Sequence, residues 1–299
     1  MTLVTLVTLV IEGAILGILT GGVYALMASG LTLIFGVLDI INIAQGILVI
    51  LGAYLSYWLE QKFYIDLFVG LLITIPAMFV LGLAIEWAFI RRLRWDRVTL
   101  SILVTFAIAI IIEGALEYLF SADLVQLKAW YIDSSVKVPF LDYYVPYIYI
   151  FAFVLSVVLL GALYLLVYRT TFGRCLRASI QNRTAASLIG IDVSRIQAVT
   201  FGIGVSLAAA GGMVFGATNA FNPASSYDLI SRLLVIIVLG GMGSLWGALV
   251  GSLIMIVISD VVVLVWNPVW ASTVFFVLLV LLLLIRPQGL FGRLEGRKQ

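Results

Sequence analysis

Residues 146–168 read PYIYIFAFVLSVVLLGALYLLVY, and residues 169–195 continue as RTTFGRCLRASIQNRTAASLIGIDVSR. The first stretch is almost entirely apolar, and as a helix it is long enough to cross roughly 30 Å of hydrocarbon. The second stretch carries five arginines. An apolar run that ends in a cluster of arginines is typical of a membrane span that ends on the cytoplasmic side.

The basic stretch also predicts a short helix between two spans. Asn182 is a favourable N-cap and Gly190 is a favourable residue just beyond a helix end, so residues 183–189 should form about two helical turns. Its small residues Ala185 and Ala186 suggest a face that contacts a partner protein, while Leu188 and Ile189 would rest on the rest of the chain or on lipid. An ordinary cytoplasmic loop is the alternative.

The composition places the whole chain in the membrane. Of 299 residues, 64% are hydrophobic and 11% are charged, which is more apolar surface than one soluble core could bury. Apolar runs long enough to span lie near residues 9–36, 42–59, 66–90, 99–120, 146–168, 196–218, 229–266 and 270–285. The run 229–266 is too long for one span, and glycines near its middle indicate two spans or one span with a re-entrant segment. We therefore expect an all-α polytopic membrane protein, a glycine-rich bundle of eight or nine transmembrane helices with one re-entrant or broken segment, and a single domain over residues 1–299.

The basic residues predict which side each connection faces. Of 17 Lys and Arg residues, 13 fall in residues 91–97, 169–195 and 286–299, and an excess of Lys and Arg marks cytoplasmic segments. Residues 121–145 instead combine two lysines with one tryptophan and three tyrosines, as an outer interfacial loop does. This assignment puts the N-terminus outside and the C-terminus inside, and nine crossings fit it better than eight.

Small residues recur at intervals of four, a spacing that lets membrane helices approach closely. We predict helix packing at three such ladders: Gly13, Gly17 and Gly21; Ala208, Gly212 and Gly216; and Gly243, Gly247 and Gly251.

Two polar or glycine-rich breaks interrupt the apolar runs, one at residues 42–46 and one at residues 240–247. Unwound backbone inside a membrane is tolerated where it lines a cavity or is buried in protein, so paired breaks indicate a transport pathway. The candidate pathway residues are Asn42, Gln45, Gly46, Gly240, Gly241, Gly243 and Ser244. The alternative for the first break is that Asn42 caps a helix at the cytoplasmic interface.

Residue types and motifs that the sequence lacks argue against several classes of function. The chain has no histidine, and its candidate ionisable residues within spans are few: Glu12, Glu86, Glu113, Glu117 and Asp260. A proton relay is therefore poorly supported. No glycine-rich loop ends in Gly-Lys-Ser or Gly-Lys-Thr, the only cysteine is Cys175, and no cluster of nucleophile and base is apparent. We expect a transport subunit without enzymatic activity and without a cofactor of its own.

Four stretches carry a resemblance to a known family. They are GLTLIFGVLDIINIAQG at 30–46, FGRCLRA at 172–178, LGGMGSLWGALVG at 239–251 and RPQGLFG at 286–292. Together they resemble the LivH-type permease subunits of branched-chain amino acid ABC importers, in the expected order and over nearly the whole chain. The sequence departs from the pattern at Gln45, where the family often has His, and at Ile47, where it often has Glu.

The resemblance implies the architecture of vitamin-B12-type importers in a bacterial inner membrane. It also implies a second homologous permease subunit, two cytoplasmic ATPases that bind ATP and Mg, and an extracytoplasmic binding protein that delivers a hydrophobic amino acid. The residues expected to couple the chain to the ATPases are Arg183, Ala185, Ala186, Leu188 and Gly190. A urea or short-amide importer is the first alternative, and an ion-coupled secondary transporter is the second.

Overall fold

A computed structural model describes residues 3–93, 97–137, 143–286 and 288–291 of the chain. Arg94 of the first basic segment, residues 138–142 of the expected outer loop and residues 292–299 of the tail lie outside the described residues, so the expectations for them are not addressed by the structure.

Helices dominate the described part of the chain. They are α1 Leu3–Leu38, α2 Gln45–Phe63, α3 Leu67–Ala88, α4 Arg97–Phe120, α5 Trp130–Asp133, α6 Tyr147–Arg169, α7 Thr171–Gln181, α8 Arg183–Leu188, α9 Val193–Thr218, α10 Ser225–Gly240, α11 Leu245–Val265 and α12 Pro268–Ile285. A 3₁₀ turn, Ile90–Arg92, follows α3. Two short strands, β1 Ser135–Lys137 and β2 Tyr144–Pro146, pair antiparallel with Val136 opposite Val145.

Seven of the described helices are long and apolar enough to cross a membrane, namely α1, α3 with its 3₁₀ turn, α4, α6, α9, α11 and α12. This confirms the expected all-α polytopic class. Helix α2 falls outside the set because polar residues stand at both of its ends, and α10 has only 16 residues, about 24 Å of helix. The long run 229–266 is divided between α10 and α11, so its glycines mark a connection between two helices.

Helix α9 lies at the centre of the bundle. It packs against α1, α2, α3 and α6, and 78% of its most apolar window is buried within the chain, a larger share than in the other six spans. The small residues of α9 permit this packing. At the crossing of α1 and α9, a Cβ added to Gly30 would lie 2.7 Å from the carbonyl oxygen of Gly204, so the two backbones are in direct contact.

The first predicted ladder faces α11. Added Cβ atoms at Gly13 and Gly17 would lie 2.8 and 2.4 Å from the Cα atoms of Val261 and Val257. Helices α1 and α11 therefore run antiparallel in close backbone contact.

The other two ladders lie at equally close contacts. Ala208 is fully buried, and a Cβ at Gly212 would lie 2.0 Å from the carbonyl oxygen of Val49 in α2. Gly216 packs against Phe221, Gly247 against Gly240 and Gly251 against the α10 backbone, and Gly243 lies near Gly36.

Successive long helices run in opposite directions, so the segments that connect them lie alternately on two sides of the bundle. We call one side the basic end, defined by the 3₁₀ turn after α3, helices α7 and α8, and residues 286 and 288–291. There Arg183 Nη2 donates to Val37 O (2.9 Å) and Leu290 N donates to Leu239 O (2.7 Å). We call the opposite side, defined by residues 64–66, 121–137, 143–146 and 219–222, the far end. The basic segments thus lie together on one side, as alternating crossings predict.

The far end carries a small folded cap. Val125 and Phe221 exchange two backbone hydrogen bonds (2.9 and 2.8 Å), and Leu127 N donates to Gly216 O (3.0 Å). Tyr131 Oη donates to Asp66 Oδ2 (3.1 Å). Burial raises the pKa of the Tyr131 phenol and the neighbouring carboxylate raises it further, so this phenol stays protonated and keeps its hydrogen bond. The described part of the expected outer loop is therefore fastened to the start of α3, to α9 and to Phe221 after α9.

Candidate functional site

The first predicted break lies deep in the bundle. Asn42 and Gln45 are both 0% exposed. Asn42 Nδ2 donates to Gln45 Oε1 (3.1 Å), and Gln45 Nε2 donates to Gly204 O (3.3 Å). Gly204 stands eleven residues after the start of α9, so α2 begins roughly 16 Å along the bundle from the start of α9.

This position decides between the two interpretations of Asn42. Its side chain does not cap α2, whose N-cap is Ala44 with no side-chain cap bond. Gly46, at the first turn of α2, lies against α10, where an added Cβ would meet Ser226 O at 2.4 Å. Asn42, Gln45 and Gly46 are thus buried between helices, and the non-helical backbone at Asn42, just before α2, is covered by protein.

The second predicted break lies elsewhere. Gly240 ends α10, Gly241 and Gly243 adopt positive φ angles of 97° and 83°, and Ser244 caps α11 by accepting from Gly247 N (3.1 Å). Leu290 N and Phe291 N donate to Leu239 O and Gly240 O (2.7 and 3.0 Å). Residues 240–244 therefore make a tight turn at the basic end, next to residues 289–291, whereas Asn42 and Gln45 are buried among the helices. The interpretation of the two breaks as parts of a transport pathway stays a prediction.

The short helix α8 has the predicted caps. Asn182 Oδ1 accepts from Ala185 N (3.0 Å), and Gly190 has φ of 87°, a left-handed conformation that favours glycine. Both the N-cap and the glycine after the helix are confirmed. Arg183 ties α8 to the end of α1 through Val37 O, and its guanidinium lies 3.5 Å from the Asp39 carboxylate.

The outward face of α8 differs from the expectation. Ala185 is exposed, but Ala186 is only 3% exposed, whereas Leu188 and Ile189 are 82% and 76% exposed. The prediction that Ala186 faces outward is wrong, and Leu188 and Ile189 do not rest on the rest of the chain. The reason is the anchor at Arg183, which fixes the rotation of a helix of fewer than two turns and turns Ala186 towards the chain. The other alternative, that these two side chains rest on lipid, stays a prediction.

A cavity of about 240 Å³ opens between α1, α6, α9, α10 and α11. It lies in the half of the bundle next to the far end, since Thr218 ends α9 and Asp260 stands five residues before the end of α11. Its apolar lining is Leu16, Val23, Met27, Val214, Phe215, Ile256, Val263 and Leu264, and its polar lining is Thr20, Tyr24, Tyr149, Thr218, Asn219, Arg232 and Asp260.

Two opposite charges line this cavity. Arg232 Nε donates to Asp228 Oδ2 one helical turn away (2.8 Å), and Asp260 Oδ2 lies 2.8 Å from the Thr20 hydroxyl. Within the described residues Arg232 and Asp260 form no direct ion pair, although each lies within electrostatic range of the other. A charge within the membrane costs several kcal/mol, so Arg232 and Asp260 are candidate functional residues.

Sequence reasoning found Asp260 as an ionisable residue within a span but missed Arg232. The available signal was an arginine at the fourth position of the apolar run 229–266, with Asp228 four residues before it, a spacing that places both side chains on one helix face. Glu113 is also partnered, since Tyr227 Oη donates to its Oε2 (2.6 Å).

A second cavity, of about 550 Å³, lies at the basic end between α3 and α9, and its lining includes Glu86, Arg91 and Arg195. Among the described residues there is no group of three His, Cys, Asp or Glu side chains that could hold a metal ion. Both cavities thus combine apolar side chains with a few charged groups.

Comparisons with known proteins agree with this geometry. The family model described as "Branched-chain amino acid transport system / permease component" matches residues 13–283. The chain is 27% identical to the high-affinity branched-chain amino acid transport system permease protein LivH of Salmonella typhimurium, over 94% of this chain and 95% of the relative. It is 28% identical to BraD, a permease protein of the same description from Pseudomonas aeruginosa, over the same shares.

Two further relatives match, one over nearly the whole chain and one over about a third of it. The probable branched-chain amino acid transport permease protein LivH of Methanocaldococcus jannaschii is 27% identical over 95% of this chain and 92% of the relative. An autoinducer 2 import system permease protein, LsrC of Klebsiella pneumoniae, is 34% identical over 35% of this chain. No solved structure matches. Because the family model covers most of its length, this chain belongs to the family of branched-chain amino acid transport system permease components.

Proposed function

We propose that this chain is the translocation subunit of an ATP-binding-cassette importer for branched-chain or other hydrophobic amino acids. The observation that carries the proposal is the family match over residues 13–283, on a chain with seven helices able to span a membrane. The named function of the relatives, branched-chain amino acid transport, supports the choice of solute.

The chain would be energised by other subunits. It has no phosphate-binding loop of the Gly-Lys-Ser or Gly-Lys-Thr type. We therefore propose two cytoplasmic ATPases that bind ATP and Mg, a second homologous permease subunit, and an extracytoplasmic binding protein that delivers the solute. The exposed Leu188 and Ile189 of α8 offer an apolar contact for an ATPase.

The mechanism that suits this architecture is rigid-body coupling. Arg183 links α8 to the end of α1, and α1 packs along α11 and across α9. A push on α8 by closing ATPases would therefore be transmitted to α1 and to the helices around the cavity. Ionisable residues in the spans are few, and no histidine is present, which disfavours an ion-coupled secondary transporter.

Reconstitution tests the assignment directly. Purified complex in proteoliposomes, loaded with ATP inside and supplied with binding protein outside, should accumulate labelled leucine, isoleucine or valine. Omission of ATP and omission of the binding protein serve as controls. Uptake of urea or short amides without uptake of leucine would show that the transported solute is an amide and not an amino acid. Uptake driven by an ion gradient without ATPases would contradict the assignment to the ATP-binding-cassette importers.

We also propose that the basic end faces the cytoplasm of a bacterial-type inner membrane, which places the C-terminus inside. Cysteines introduced at Gln181 and Lys128, both exposed and at opposite ends of the bundle, report on this after Cys175 is replaced by serine. An impermeant maleimide added to spheroplasts should label position 128, and it should label position 181 only after permeabilisation. Labelling of position 181 in intact spheroplasts would reverse the orientation.

A further inference from the structure

A zwitterionic amino acid cannot cross a membrane protein without partners for its two charged groups. Removing a carboxylate or an ammonium group from water is costly unless an opposite charge or several hydrogen bonds compensate it. A passage that shelters only the aliphatic side chain would therefore be a barrier, and one fixed cation together with one fixed anion would lower that barrier.

We propose that the cavity between α1, α6, α9, α10 and α11 binds the amino-acid zwitterion, with Arg232 contacting the α-carboxylate and Asp260 contacting the α-ammonium. The inference rests on the proposed function and specifies where in the chain the solute is held.

The hydrogen bonding of Arg232 leaves it able to bind a carboxylate. Its Nε atom is bonded to Asp228 Oδ2 (2.8 Å), and within the described residues its two terminal nitrogens donate no hydrogen bond. Its Cζ lies 6.0 Å from the centre of the Phe275 ring. The guanidinium is thus held in place through Nε, while its two terminal nitrogens, which can bind a carboxylate in a bidentate manner, have no hydrogen-bond partner among the described residues.

Asp260 is held in a comparable way. The Thr20 hydroxyl lies 2.8 Å from Leu16 O and 2.8 Å from Asp260 Oδ2, so its single proton bonds one of these acceptors at a time. The other carboxylate oxygen, Oδ1, accepts no hydrogen bond within the described residues. Arg232 and Asp260 both line the cavity, and within the described residues no direct ion pair joins them, so each charge is able to contact a ligand that carries both charges.

The size and lining of the cavity suit a small aliphatic solute. Its volume of about 240 Å³ lies below the roughly 300–1,000 Å³ that holds drug-sized ligands. About half of its lining is aliphatic or aromatic carbon from α1, α9 and α11, including Val23, Val214 and Ile256. The position near the far end is where a solute released by an external binding protein would arrive.

Removing one charged group at a time from the ligand and from the protein tests the assignment. The complex, purified in nanodiscs without binding protein, is tested for equilibrium binding of labelled L-leucine. The unlabelled competitors are L-leucine, 3-methylbutylamine, which lacks the carboxylate, and 4-methylpentanoate, which lacks the ammonium group. The wild-type complex should prefer leucine over either analogue by about 10-fold or more, the usual effect of one lost charged contact.

Each variant should lose the preference for leucine over one of the two analogues. In Asp260→Asn, leucine and 4-methylpentanoate should compete within about 3-fold of each other, and in Arg232→Gln the same should hold for leucine and 3-methylbutylamine. A general loss of structure would weaken all three ligands alike. Glu113→Gln, which removes a span carboxylate outside the cavity, is the matched control and should keep the wild-type ranking.

Protection from alkylation provides a second measurement that does not need the charge variants to fold. With Cys175 replaced by serine and Thr218, which lines the cavity, replaced by cysteine, leucine should slow alkylation at position 218 and 3-methylbutylamine should not.

The outcomes separate the two proposals. Leucine uptake by the wild-type complex, together with an unchanged ligand ranking in both variants or no protection at position 218, would overturn the cavity assignment and leave the importer standing. Absence of leucine uptake by the complete wild-type system would overturn the proposed function and the cavity assignment with it.

Discussion

Replacing Gly212 with alanine is expected to remove most of the folded protein from the membrane fraction. The added methyl carbon would lie 2.0 Å from the carbonyl oxygen of Val49 and 2.9 Å from the amide nitrogen of Ala53. Both atoms belong to the backbone of α2, so no side-chain rotation can relieve the overlap. Ordinary overpacking of a core costs about 1–3 kcal/mol, and a contact this short between two central helices should reach or exceed the upper figure.

The matched control is Gly161→Ala. Gly161 is exposed in the middle of α6, and a Cβ added there meets no atom within 4 Å. The same substitution should leave stability unchanged or raise it by up to about 1 kcal/mol, the difference in helix propensity. The measurements are the yield of monodisperse protein in detergent and the thermal unfolding midpoint. Equal behaviour of the two variants would show that α2 and α9 are not packed as described.

Replacing Leu188 with aspartate is expected to lower ATP-driven uptake by about 10-fold or more while the bundle stays folded. Leu188 is 82% exposed on α8, so the change disturbs no packing within the chain. At an interface with an ATPase it would bury an unpaired carboxylate in place of an apolar anchor, and a loss of about 2 kcal/mol or more is typical of such central positions.

The matched control for this prediction is Gln181→Asp, an equal charge at an exposed position at the end of α7. It should keep near wild-type uptake. Uptake in proteoliposomes is measured together with co-purification of the ATPases, which distinguishes a lost contact from a contact that no longer transmits movement. Normal uptake by Leu188→Asp at normal expression would make α8 an ordinary connection.

Several parts of the structure could be predicted from the sequence because they depend on residues that are close together in the chain. The cap of α8 by Asn182 and the left-handed Gly190 arise from hydrogen bonds and steric limits within a few residues. The apolar runs also predicted the positions of the helices, since a backbone in lipid must satisfy its own hydrogen bonds and does so by forming a helix. The resemblance to permease subunits also rested on short local stretches.

The orientation of α8 could not be obtained in the same way. A helix of six residues has no periodicity strong enough to define a face, and its rotation is set by the contact of Arg183 with Val37 and Asp39, nearly 150 residues earlier. The depth of Asn42 and Gln45 has a similar origin, since the hydrogen bond to Gly204 spans 159 positions.

The sequence by itself determined that the chain is a membrane-embedded helical bundle, that its basic segments share one side, and that it resembles amino-acid permeases. Hydrophobicity, charge and capping are properties of short segments, and they act wherever the chain folds. Only the tertiary structure decided that Arg232 and Asp260 line one cavity with Thr20, and that the two breaks in the apolar runs lie at different depths. These features depend on which helices cross and at what height, and close packing of small residues over many distant positions fixes those crossings.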